Sequence, residues 1–76
     1  MTARKGEPFM DAIQPKTPDE ILKAALIREK QAHDFYEQSA MHCKVEMVRE
    51  LLEGLQNEES RHIKLIQNML TKLQIG

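Results

Sequence analysis

Two stretches of the chain repeat their apolar side chains every three or four residues, and a short irregular stretch divides them. In the first, Leu22, Leu26, Glu29, His33, Tyr36 and Ala40 recur at alternating steps of four and three, with Ala25 and Ala32 alongside. In the second, Val48, Leu52, Leu55, Glu59, His62, Ile66, Met69 and Leu73 follow the same rule without a miss. Such alternation marks a helix laid lengthwise against other helices. Thr17-Pro18-Asp19-Glu20 supplies the start of the first one: a capping threonine, a proline where its missing N–H does no harm, and a glutamate that closes a capping box. The pattern predicts helices over about 18–41 and 45–73, joined through Met41-His42-Cys43-Lys44. Together they form one hairpin domain over 17–76. Residues 1–16, with Gly6, Pro8 and Pro15, hold no sustained period and form a flexible arm that offers Phe9, Met10 and Ile13 for docking.

A chain of 76 residues rarely draws more than about 3–5 kcal/mol from a single core, and natural ones add disulfides, a metal or a partner. Cys43 is the only cysteine, so no disulfide forms within the chain. A hairpin cannot enclose its own apolar face, whereas two hairpins can. The expectation is therefore all-α: an antiparallel two-helix hairpin that dimerises into a four-helix bundle, with Met41, Met47 and Met69 filling its packing. A net charge of -1 gives no electrostatic case for nucleic acid. The longest apolar run, Ala24 to Ile27, is far short of a membrane span. Neither an export signal nor paired cysteines are visible, which points to the cytoplasm.

The chemistry lies where the apolar seam is interrupted. Glu59 and His62 take two consecutive seam positions of the second helix, and Glu29 takes one in the first. Withdrawing a carboxylate from water costs several kcal/mol unless it is paired or binds metal. Residues three apart on a helix project about 60° apart, so Glu59 and His62 can reach one ion. Counted from Cys43, Glu29 lies nearly as far back along the chain as Glu59 lies forward, so an antiparallel pair brings them to one level within about half a turn. One hairpin then offers two carboxylates and one imidazole. A twofold dimer offers four and two, the ligand set of a di-iron carboxylate bundle. Mixed oxygen and nitrogen donors suit iron, with manganese or zinc able to substitute.

The stretch Ala25-Leu-Ile-Arg-Glu29-Lys-Gln-Ala32-His-Asp-Phe35-Tyr36 resembles the first-helix Glu-x-x-Ala-x-x-Phe-Tyr pattern of the ferritin-like superfamily. Glu58-Glu59-Ser-Arg-His62 is similar to the Glu-Glu-x-x-His of its second helix. Rubrerythrins carry both, as do encapsulated ferritins, which are two-helix chains that complete their iron site by dimerising. The resemblance covers about residues 18–73. It implies Glu29, Glu59 and His62 as iron ligands, Tyr36 as a catalytic group beside them, and two irons per dimer. It also implies ferroxidase chemistry, the oxidation of Fe(II) by oxygen or peroxide. The implied partners are a second copy, a higher ring of dimers, and an encapsulin-type shell that would place the protein in a nanocompartment. The sequence as given departs from both types: it stops at Gly76 without a shell-addressing peptide, and it lacks the second Glu-x-x-His and the four-cysteine domain of a complete rubrerythrin.

Two other readings compete. One is a structural dimerisation hairpin whose Glu–His layer only sets register. The other is a rubrerythrin-like peroxide-reducing protein. Around the seam, His33 is a flank residue or a ligand of an additional ion. Glu58, Asp34 and Glu37 are expected in solvent, and His42 with Cys43 provides too few ligands for a site. Gly54 costs its helix about 1 kcal/mol against alanine and could admit a neighbouring helix.

Overall fold

The structure is a computed structural model and describes residues 14–75. Its two helices, α1 (Pro18–His42) and α2 (Glu46–Ile75), agree with the periodicity to within two residues at each end. They pack against each other as an antiparallel hairpin. Phe9, Met10 and Ile13 lie outside the described residues, and residues 14–17 are exposed.

The capping box at the start of α1 is complete. The Thr17 hydroxyl oxygen accepts from the Glu20 N–H at 3.2 Å, while the Glu20 carboxylate accepts from the N–H groups of Thr17 and Lys16 at 3.2 and 3.0 Å. Three otherwise unpaired donors are thereby satisfied. The connection needs no glycine, because Cys43 leaves α1 in an extended conformation (φ -89°, ψ 127°) and returns its N–H to the Ala40 carbonyl at 3.3 Å. The Cys43 thiol donates to the Val45 carbonyl at 3.5 Å, and the Arg49 N–H bonds back to Val45 at 2.9 Å as α2 begins.

Ala40, beside the connection, is the one buried apolar residue among those described, and α2 buries none. The seam is otherwise half-covered. In α1 it consists of the expected Leu22, Leu26, Glu29, His33, Tyr36 and Ala40. In α2 it departs from expectation. Leu52, Leu55, Glu59, His62 and Ile66 are half-buried as foreseen, but Val48, Met69 and Leu73 are 44–46% exposed, while Ile63 and Leu70 are half-buried instead. The repeat correctly grouped the apolar positions. It also merged two surfaces, because at 3.6 residues per turn Val48, Leu51, Leu65 and Met69 centre to one side of the line on which α2 meets α1. Met41 and Met47, expected as packing filler, are 70% and 79% exposed. They flank the connection, where one hairpin has nothing to place against them.

The hairpin therefore has two unlike faces. On one, His33 of α1 meets Gln56 of α2, with Lys30, Glu37, Arg49 and Ser60 around them by helical spacing. On the other, Ile21 and Phe35 of α1 share the side of Val48, Leu51, Leu65 and Met69 of α2, and all six are at least 45% exposed. By helical spacing Arg28 stands between Ile21 and Phe35, and Glu58 between Leu51 and Leu65, so the exposed apolar residues of this side form patches separated by charge. No helix among the described residues is long and apolar enough to cross a membrane.

Candidate metal centre

Glu29 of α1 and Glu59 and His62 of α2 come together as the spacing required. Lys44 is the middle of the connection, and Glu29 and Glu59 stand equally far from it along the chain. Their donor atoms and that of His62 all lie within 4.8 Å of one another. His62 Nδ1 is 3.1 Å from the Glu29 carboxylate and 3.5 Å from Glu59 Oε1. The first is a hydrogen bond. The second is not, and the buried Glu59 Oε1 has no hydrogen-bond partner.

That orphaned oxygen tests whether a cation belongs here. A buried acceptor left unpaired is costly, and native structures contain few of them. His62 Nδ1, the nearby nitrogen, bonds Glu29 instead. Two carboxylates and one imidazole aimed at a common point suit a divalent transition metal, which accepts from all three at once. The residues present fit a metal ion better than they fit one another.

The electrostatics agree. The Glu59 carboxyl is held above the usual carboxylate range, first by the facing Glu29 carboxyl and then by removal from water. Glu29 is held below that range, first by the neighbouring Glu59 carboxyl and then by the hydrogen bond with His62. Opposite shifts on two facing carboxyls are what the repulsion of like charges at close range produces. A carboxyl that still holds a proton must release it before it can ligate a cation.

Glu58 is 56% exposed and its carboxylate is held low by Arg61, which donates to it at 2.8 Å. It stands 3.9 Å from His62 Nε2, too far for a hydrogen bond. Tyr36 is half-buried on the same stripe as Glu29, but two turns separate them, roughly 10 Å along the axis. Its hydroxyl bonds none of the three ligands within the hairpin, and its ring packs edge-on against Phe35 with centroids 5.6 Å apart. The Cys43 thiol is turned to the backbone and His42 is exposed, so the connection assembles no site.

One cross-helix contact escaped the sequence reading. His33 Nε2 lies 3.4 Å from the Gln56 amide, and its Nδ1 lies 3.1 Å from the Asp34 carboxylate. The signal was available, because His33 and Gln56 stand at nearly equal chain distances from Lys44 and so share a level.

An all-α hairpin with a carboxylate–histidine triad across its seam carries the donor types of the helical-bundle carboxylate metalloproteins. The rubrerythrin family model matches residues 20–76, and the chain belongs to that family, which implies that it binds iron. No curated protein and no solved structure matches the chain.

Proposed function

We propose that the protein is a ferroxidase: two hairpins join through their apolar faces, hold two iron ions between them, and oxidise Fe(II) with oxygen or peroxide. The observation that carries this reading is the half-finished triad, with the unpartnered Glu59 oxygen at its centre. Three donors from one chain leave a metal ion open, and a second copy related by a twofold axis doubles the set to four carboxylates and two imidazoles. His62, at 42% the most exposed of the three side chains, belongs by helical spacing to the flank that carries Leu51 and Leu65, so the centre opens toward the face a second copy would cover.

Iron bound there supplies the one-electron redox chemistry. The chain's own residues do the rest. Glu59 gives up any proton it holds on loading, Glu29 and His62 Nδ1 turn from each other to the ion, and the Leu55 and Ile66 turns beside Glu59 and His62 keep water away. A register device would use a satisfied Glu–His pair, and the unpartnered oxygen argues against that alternative. Preference between oxygen and peroxide belongs to the same proposal.

The test is Fe(II) loading of anaerobically purified protein. Two irons per dimer and rapid oxidation on admitting oxidant are expected. Glu59→Ala and His62→Ala should abolish oxidation with the helical circular dichroism intact, and Glu58→Ala should lose much less. Undiminished oxidation in both ligand variants refutes the assignment.

A further inference from the structure

We propose that His33, Asp34 and Glu37 form a second divalent-cation site, on the polar face of the hairpin and apart from the Glu29–Glu59–His62 centre. Their donor atoms lie within 4.8 Å of one another. His33 and Glu37 are four residues apart, on adjacent turns of one helix face, the spacing at which two side chains chelate a single ion. Asp34 completes the set by folding its carboxylate to 3.1 Å from His33 Nδ1.

The imidazole distinguishes this group from a run of surface acids. His33 is only 23% exposed on its side chain, and its outer nitrogen is fixed by a residue of the other helix, Gln56, at 3.4 Å. Metal-binding histidines are held in this way, with the second ring nitrogen tied to a neighbouring polar group that sets ring orientation and tautomer. In the metal-free hairpin the Gln56 amide N–H donates to Nε2, and Nδ1–H donates to Asp34. A cation at Nδ1 moves the ring proton to Nε2, and a half-turn of the Gln56 amide presents its oxygen to accept it. The ring gains and loses no net proton, so Gln56 serves both states.

One nitrogen and two carboxylate donors select zinc, manganese or ferrous iron over calcium and magnesium. Three protein ligands leave positions to water, so the ion exchanges readily. The site is one turn of α1 from Glu29, about 6 Å along the axis. It occupies the opposite flank from Leu51 and Leu65 and stays open when the apolar face is covered.

The experiment is calorimetric titration of the full chain with Zn(II) near neutral pH, together with NMR of the histidine ring nitrogens. Wild type should take two ions per chain, with the His33 Nδ1 resonance shifting as the weaker site fills. His33→Gln should take one, and Gln56→Leu should weaken the weaker site about tenfold while leaving the stronger one unchanged. Equal stoichiometry in wild type and His33→Gln, or a His33 ring indifferent to Zn(II), overturns the proposal. Glu59→Ala separates the two centres. It should lose the stronger ion and keep the His33 resonance shift, and if it loses no ion while His33→Gln does, the ferroxidase reading fails and this one stands.

Discussion

Metal should drive the assembly of this protein, and the structure gives the scale. Ile21, Phe35, Val48, Leu51, Leu65 and Met69 are 45–64% exposed on the open face. Covering the exposed half of each gains about 1 kcal/mol, or roughly 12 kcal/mol over two protomers. Association costs an estimated 4–15 kcal/mol, and bringing four carboxyls together adds to that. On these figures a metal-free pair would stand near dissociation at micromolar protein. Each ion present at about 100 times its dissociation constant stabilises the form that binds it by about 2.7 kcal/mol. Two ions per dimer then contribute about 5 kcal/mol, which for an assembly of this size corresponds to a melting point higher by roughly 10–20 °C. Sedimentation velocity and thermal unfolding, each in chelator and in excess Mn(II) or Fe(II), read both quantities. Wild type should pass from monomer toward dimer and gain stability with metal, and Glu59→Gln should do neither. An unchanged sedimentation coefficient and melting point across the two conditions would refute the shared site, even if iron bound elsewhere.

Two further outcomes follow from single residues. Because Glu59 holds its proton above the ordinary carboxylate range while Glu29 is held below it, metal binding at the seam should release protons and tighten as pH rises through the elevated Glu59 range. The sign for folding alone is the reverse for Glu59: its contribution is present at low pH and is lost as pH rises through its folded value, whereas that of Glu29 is lost as pH falls through its own. Buffer-dependent calorimetry counts the released protons, and an affinity that stays flat from acid to neutral pH contradicts the role given to the raised Glu59 carboxyl. Gly54→Ala meets open space within the hairpin, with nothing inside 4 Å of the added Cβ, and should stabilise α2 by about 1 kcal/mol. A fall in melting temperature that appears only in the metal-loaded protein would show that a partner helix occupies that space.

The position of the candidate metal centre was legible because chain arithmetic is rigid. Thr17-Pro18-Asp19-Glu20 starts α1 by local hydrogen bonds, and the short connection near residue 43 fixes the level at which Glu29 meets Glu59 and His62. A helical repeat names the residues that share a stripe, and a short connection names their height. Neither says where along the circumference the two stripes meet. That angle is set by how side chains of both helices interlock, and it was decided only in the folded hairpin. It turned Ile63 and Leu70 inward, left Val48 and Met69 on the open side, and joined His33 to Gln56 on the other. The opposite pKa shifts of Glu29 and Glu59 likewise depend on side-chain distance and on shelter from water, quantities that no spacing of letters carries.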